Sequence, residues 1–150
     1  MRAVIFIVVS SAATIIGAIA AILGTWWIHD IAYKMGQKYD VQPLMAFVVG
    51  YLLSIVLYAA LARLIAIVAK SRALECNVVA GALANILITA LTATSTKARP
   101  GGWIDWADAL EFYVSYYLPD LSIFPVFLLV GWLAKRRLAL NAVNTAPQAV

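Results

Sequence analysis

The chain has 150 residues, of which 65% are hydrophobic and 12% are charged, and its formal net charge is +4. A soluble globular domain has about 45–50% apolar and about 25% charged residues, so this composition excludes an ordinary soluble domain, and its hydrophobicity excludes a disordered chain. One cysteine and one histidine exclude an intramolecular disulfide, a multi-thiolate metal centre and a bis-histidine haem within the chain.

Four long apolar runs predict four transmembrane helices. Each run is close to or above the length of about 20 residues that a helix needs to cross the hydrocarbon core of a bilayer. The runs are continuous, whereas the strands of a membrane β-barrel alternate between apolar and polar residues. The predicted fold is therefore an all-α integral membrane protein with four spans, at about 3–28, 43–68, 76–94 and 113–134.

The first run is interpreted as a retained span rather than a cleaved signal peptide. Arg2 is typical of the start of a signal sequence, and the alanines at both ends of Ala18-Ile19-Ala20 are typical of its cleavage site. The apolar run nevertheless continues past them to Ile28, which is longer than the apolar region of a signal peptide. We therefore expect this segment to cross the membrane.

The connections between the spans differ in length. A polar connection is predicted over 29–42, and Pro43 suits the first turn of the second span because a proline there loses no helical hydrogen bond. The tight connection Lys70–Arg72 predicts that the second and third spans form an antiparallel hairpin. The Pro-Gly-Gly sequence at 100–102 breaks the chain after the third span.

The region before the fourth span permits two interpretations. Aromatic and apolar residues at steps of three and four predict an amphipathic helix over about 103–117 in the outer interface. A break at Pro119 would then leave Asp120 as the N-cap of a short span. The alternative is one helix from about Asp108, kinked at Pro119 and Pro125, in which Asp120 lies in the membrane as a candidate proton or cation site. We favour the interfacial helix because it leaves the acidic residues before Pro119 in water.

The spans make up a single transmembrane domain over 1–137, and a frayed tail over 138–150 follows it. The distribution of positive charge predicts how this domain is oriented in the membrane. Four spans place both termini on one side, and that side carries seven of the eleven lysines and arginines but one of the seven acids. The positive side of a membrane protein faces the cytoplasm. We therefore expect cytoplasmic termini and a bacterial inner (plasma) membrane, where the basic cluster at 135–137 contacts anionic lipid headgroups rather than nucleic acid.

Small residues at steps of three and four predict the faces on which the helices pack. Helices in a bilayer associate by close packing and hydrogen bonds, because lipid is as apolar as their side chains. The predicted packing residues are Gly17, Ala21 and Gly24 on the first span and Gly81 on the third. The fourth span has little of this kind apart from Gly131, so we expect it to face more lipid.

Polar residues at membrane depth are the candidate functional residues. The strongest is Asn85, near the middle of the third span, because an unpaired amide is costly in hydrocarbon. The candidates for a polar lining or for contacts between helices are Asn77, Asn85, Thr89, Thr92, Tyr58 and Ser54. Arg63 and Asp120 are the candidate charged sites. We expect Arg63 to reach the inner interface with its guanidinium, or else to pair with Glu75 across the hairpin or to hold an anionic headgroup.

The sequence predicts a protein without enzymatic activity. It has no nucleophile elbow, phosphate-binding loop, dinucleotide fingerprint or zinc-protease motif. His29, with Asp30 and Asp40 near it, is interpreted as part of a polar helix end rather than a metal site. We expect no cofactor and no nucleic acid, and we expect the lipid bilayer and other membrane protein subunits as partners.

Three functions stay open for such a chain. The leading prediction is a non-catalytic accessory or structural subunit of a larger membrane protein complex, because the soluble parts are minimal and the helix-contact stripes are extensive. The alternative is a small homo-oligomeric channel or transporter that uses the Asn/Thr stripe of the third span as its polar lining. A further alternative is a membrane immunity or exclusion protein.

Overall fold

The computed structural model describes residues 2–39, 43–96 and 106–144, with the backbone alone at 2, 33, 43–44, 46–47, 89–96, 106–121 and 143–144. These residues form four α-helices joined in one place by a short 3-10 turn. The helices are α1 (Arg2–Lys38), α2 (Pro43–Ala69), α3 (Ala73–Thr96) and α4 (Trp106–Asn144), and the turn is Lys70–Arg72. The described part of the chain contains no strand, which confirms the predicted all-helical fold.

Two helical stretches are long and apolar enough to cross a membrane. They are Ala3–Lys38 and Val48–Ile88. The second stretch runs through the Lys70–Arg72 turn, so it takes in most of α2 and α3. Only about a third of the most apolar part of each stretch is buried inside the chain, at 33% and 28%. Length, composition and this outward apolar surface support membrane association.

The first two helices pack antiparallel. Gly17 of α1 lies against Ile65 of α2, and Gly24 lies against Leu57, so residue numbers rise on one helix as they fall on the other. The absence of a glycine side chain lets the backbone of α1 approach the leucine and isoleucine of α2 closely. Ala21, between the two glycines, is fully buried. These positions agree with the packing face predicted for the first span.

The last two helices also pack antiparallel. Gly81 of α3 lies against Phe127 of α4, and Gly131 of α4 lies against Asn77 of α3. Phe127 is completely buried, as is Ile123 one turn before it. The fourth span was expected to face more lipid than the others, and this part of α4 nevertheless packs closely against α3, because large side chains can fill the groove that glycines and alanines leave on α3.

The helices surround a central hairpin. The short turn folds α3 back against α2, as its length predicted. α1 packs against α2 and α3 on one side, and α4 packs against α3 and α2 on the other. α1 and α4 barely touch one another among the described residues. The core between them is rich in alanine, and its largest buried side chains include Tyr58, Ile88 and Phe127.

The structure corrects the prediction for the region before the fourth span. α4 runs without interruption through Pro119 and Pro125, so the expected break at Pro119 is wrong, and the continuous helix of the alternative interpretation is the one observed. The placement of its first part in the outer interface stays a prediction. Asp120 lies inside α4 and is not an N-cap. Proline already has a helical φ, and membrane helices tolerate it because neighbouring groups satisfy the freed carbonyl. Residues 103–105 lie outside the described part of the chain.

Two further boundaries differ from the prediction. α1 continues about three turns beyond Ile28 to Lys38, where a polar connection was expected. An Asp30–Lys34 ion pair, one helical turn apart at 2.6 Å, supports this extension. The tail over 138–150 is helical as far as Asn144, because its leucine and alanine residues favour the helix.

Candidate functional site

A buried row of hydroxyl groups runs along the contact between α1 and α2. Its members are Ser10, Thr14 and Thr25 on α1 and Ser54 and Tyr58 on α2, and each is at most 5% exposed. Burial of a hydroxyl in a bilayer protein is tolerated when the group is hydrogen-bonded. We call these five residues the hydroxyl seam.

Most hydroxyls of the seam donate to the backbone of their own helix. Thr14 Oγ1 donates to the carbonyl of Ser10 at 2.8 Å, and Ser54 Oγ donates to the carbonyl of Gly50 at 2.9 Å. Ser10 Oγ likewise donates to the carbonyl of Ile7 at 3.0 Å. Such bonds to the preceding turn satisfy a serine or threonine without a partner on another helix. These side chains are therefore polar groups that the helix itself accommodates.

One hydrogen bond of the seam joins the two helices. Thr25 Oγ1 and Tyr58 OH are 2.6 Å apart, deep in the bundle. Thr25 Oγ1 also lies 2.7 Å from the carbonyl oxygen of Ala21, which can only accept. Since a threonine hydroxyl has one hydrogen, the arrangement is satisfied when Thr25 donates to Ala21 and Tyr58 donates to Thr25. Tyr58 thus ties α2 to α1.

The sequence identified Tyr58 and Ser54 but missed Thr25. The packing stripe of the first span was continued from Ala21 by a step of three, to Gly24. A step of four reaches Thr25, which faces α2 equally well in the structure. Residues three and four positions further along a helix lie on the same face, so Gly24 and Thr25 both belong to the stripe that includes Ala21.

Asn77, rather than Asn85, is the most deeply buried amide of α3. Asn77 is completely buried, and its Nδ2 donates to the carbonyl of Ala73 at 2.9 Å. Its Oδ1 is buried with no hydrogen-bond partner among the described residues. The side chain packs where Gly131 brings α4 close to α3. Asn85, two turns further along, is half-buried.

The remaining predicted positions divide into two groups. Arg63 is exposed on α2, and the ion pair that the structure gives Glu75 is with Lys135, at 3.6 Å. The alternative pairing of Arg63 with Glu75 is therefore not the one observed. The other group has side chains that lie outside the described residues, and it comprises Thr89, Thr92 and Asp120.

A second unpartnered atom lies in the contact between α1 and α2. His29 Nε2 is buried without a hydrogen-bond partner among the residues that the structure describes, and the ring lies beside Gly50 of α2. Asp30, which follows His29 in the chain, pairs with Lys34 instead, and Asp40 lies outside the described residues. In the described part of the chain, no three His, Cys, Asp or Glu side chains come together as metal ligands would.

No protein-family model, no characterised protein and no solved structure matches the chain.

Proposed function

We propose that the chain crosses a bacterial inner membrane four times, with both termini in the cytoplasm. α2 has 27 residues and α3 has 24. At 1.5 Å per residue they are roughly 40 and 36 Å long, which exceeds a hydrocarbon core of about 30 Å. The turn between them carries Lys70 and Arg72, which favours a cytoplasmic position for this end of the hairpin.

Within that membrane, we propose a non-catalytic accessory or structural subunit of a larger protein complex. The observation that carries this proposal is the direction in which the polar side chains point. The hydroxyl seam and Asn77 are buried inside the chain's own bundle, and four of the seam hydroxyls bond to their own helix. Large apolar side chains cover the outside. This arrangement supports a helical bundle that presents apolar faces to lipid and to neighbouring subunits.

The subunit proposal is tested by gentle purification from the native membrane followed by native mass spectrometry. We expect the chain to co-purify with different membrane proteins in a fixed stoichiometry. Recovery as a homo-oligomer alone would contradict the proposal, and it would favour the channel or transporter.

The four-span topology is tested with introduced cysteines. The one native cysteine, Cys76, is buried, so Cys76→Ala gives a background free of thiols. Lys38→Cys, Lys70→Cys and Leu140→Cys then place single exposed thiols at the ends of helices. Four spans require that a membrane-impermeant maleimide labels positions 70 and 140 from the cytoplasmic side and position 38 from the opposite side. Labelling of all three positions from one side would contradict this topology.

A channel or transporter is the second candidate function, and the amides of α3 favour it. Asn77 Oδ1 is buried with no partner among the described residues, and Asn85 is half-buried two turns away. An unsatisfied acceptor such as Asn77 Oδ1 can bind a water or a solute hydroxyl. The test is flux through vesicles that contain the purified chain: a transporter should lose flux in Asn85→Ala, whereas a subunit should show no flux before or after this change.

A further inference from the structure

Two separate segments of the chain form one basic surface at an end of the bundle. The first is the Lys70–Arg72 turn, and the second is the part of α4 over 135–137. The turn packs against α4 as well as against α2 and α3, which brings the two segments together. We call the five exposed cations of these segments the basic end. They are Lys70, Arg72, Lys135, Arg136 and Arg137.

Glu75 is the one acidic residue at this end among the residues that the structure describes. Its Oε1 lies 3.6 Å from Lys135 Nζ, and the charge of Arg72 also acts on it. Glu75 therefore links the start of α3 to α4 and neutralises one cation. The other four cations of the basic end leave a strong positive potential on a surface that is open to solvent.

An aromatic side chain marks the membrane depth of the basic end. The guanidinium of Arg136 stacks over the ring of Trp132, with 5.5 Å between Cζ and the ring centroid. Tryptophan favours the level of the lipid headgroups, and an arginine stacked on it can still donate hydrogen bonds outward. Arginine forms paired hydrogen bonds with phosphate oxygens. The cations thus lie where the phosphates of a bilayer would be.

The opposite end of the described bundle lacks this excess of positive charge. Lys34 pairs with Asp30 at 2.6 Å, and Lys38 lies over the ring of Tyr39 at 5.4 Å. The charge of Lys34 is therefore neutralised, which leaves Lys38 as a single uncompensated charge of this pair. The two ends differ in charge although both have exposed lysines.

We infer that the basic end is a binding surface for the headgroups of anionic phospholipids. The cations of the turn and those of α4 bind the phosphate of a headgroup together. The inference rests on the membrane location proposed above. A lipid is the fitting partner because the cations lie at the end of two apolar helices, beside an interfacial tryptophan. It assigns a ligand to residues that the hydroxyl seam and the packing stripes leave unused.

The test compares the purified full chain in nanodiscs of phosphatidylcholine with and without phosphatidylglycerol. Native mass spectrometry after mild delipidation measures which lipids stay bound. We expect the wild-type chain to retain phosphatidylglycerol preferentially. A polybasic surface gains about fivefold in affinity per cation, or about 1 kcal/mol, so Arg136→Gln/Arg137→Gln should lower the preference by about 25-fold.

The matched control is Lys34→Gln/Lys38→Gln, which removes the same charge from the opposite end and should keep the preference. Lys70→Gln/Arg72→Gln tests the surface from its other segment, in case the α4 variant does not fold. Higher salt should weaken the preference, because the Debye length falls from about 10 Å at 0.1 M to about 3 Å at 1 M.

Several results would overturn the inference. The first is equal retention of both lipids by the wild type, and the second is an equal loss of the phosphatidylglycerol preference in the basic-end and control variants. The third is inorganic phosphate bound in phosphatidylcholine discs to the same extent as phosphatidylglycerol. Failure of the chain to enter nanodiscs of either composition would overturn the membrane location itself, which distinguishes the two proposals.

Discussion

Two glycines of the bundle differ in what surrounds them. A Cβ atom at Gly131 would lie 2.9 Å from Asn77 Cβ and 3.2 Å from the backbone Cα of Leu74. A Cβ atom at Gly17 would meet only the end of the Ile65 side chain, at 2.5 Å from Cδ1 and 3.2 Å from Cγ1. A side-chain end can rotate away, whereas a neighbouring backbone cannot. The glycine of α4 is therefore the more demanding position.

We expect Gly131→Ala to destabilise the bundle by up to about 2 kcal/mol. Overpacking of about 1–3 kcal/mol outweighs the gain of about 1 kcal/mol in helix propensity. Gly17→Ala has the same propensity gain and a neighbour that can move, so it should stay within about 1 kcal/mol of the wild type. Unfolding in mixed detergent micelles measures both changes. A Gly131→Ala chain that is as stable as Gly17→Ala would contradict the close approach of α3 and α4.

The bond between Tyr58 and Thr25 predicts an energetic coupling between two residues far apart in sequence. A double-mutant cycle of Tyr58→Phe and Thr25→Ala should give a coupling energy of about 0.6 kcal/mol, and at most about 1.7 kcal/mol, the range of hydrogen bonds between membrane helices. The control cycle pairs Tyr58→Phe with Ser10→Ala, whose hydroxyl bonds to Ile7 of its own helix. Coupling equal to that of the control cycle would show that the hydroxyls do not interact.

At the scale of an element, the turn between α2 and α3 holds a lysine in an unusual conformation. Lys70 has a φ of +47°, in the left-handed region that glycine adopts without strain. The position follows the last residue of α2, where helices often end with a left-handed residue. The two helices can thereby be joined by only three residues.

We expect Lys70→Gly to stabilise the hairpin by up to about 1 kcal/mol. A left-handed conformation costs an L-residue about 1–2 kcal/mol, which glycine avoids. The greater entropy of glycine in the unfolded chain offsets part of this relief of strain. Lys70→Ala removes the same charge and keeps a Cβ, so it serves as the control and should not be stabilised. Thermal unfolding of the two variants in one detergent distinguishes them. A Lys70→Ala chain as stable as Lys70→Gly would mean that charge, not backbone conformation, matters here.

The sequence predicted the helices and their packing faces better than their ends. The structure buries the predicted packing residues Gly17, Ala21 and Gly81. Small residues mark packing faces well because they let the backbones of two membrane helices approach closely. The predicted ends of α1 and α4 are wrong because the polar residues and prolines there do not break these helices. In the structure, Gly50 of α2 lies beside His29, and this contact keeps the end of α1 packed against α2.

The candidate site was harder to predict than the fold. A stripe of polar residues shows which face of a helix is turned inward, but it does not show which residue meets a neighbour. Asn85 was favoured for its central position along the span, whereas burial depends on where the facing helix comes close. Gly131 creates that close approach at Asn77. The deciding residue thus lies on α4, in another part of the chain.

At the scale of the whole molecule, α1 and α4 pack against the α2–α3 hairpin from different sides, and they barely touch one another in the part of the chain that the structure describes. Changes on one side should therefore have little effect on the other. We expect the destabilisation of Tyr58→Phe and of Gly131→Ala to add within about 0.5 kcal/mol in the double variant, as is usual for distant sites without shared partners. The coupled pair of Tyr58 and Thr25 provides the contrast. Strong coupling between Tyr58 and Gly131 would contradict this arrangement.

The short Lys70–Arg72 connection has a consequence for how the molecule assembles. Closing a three-residue loop costs far less chain entropy than bringing together segments that are distant in sequence. We therefore expect the hairpin of α2 and α3 to form before the other helix contacts. Among the described residues, α1 and α4 each pack against this hairpin and hardly contact one another. Because α1 is synthesised before the hairpin and α4 after it, we expect α1 to dock first and α4 to complete the bundle last.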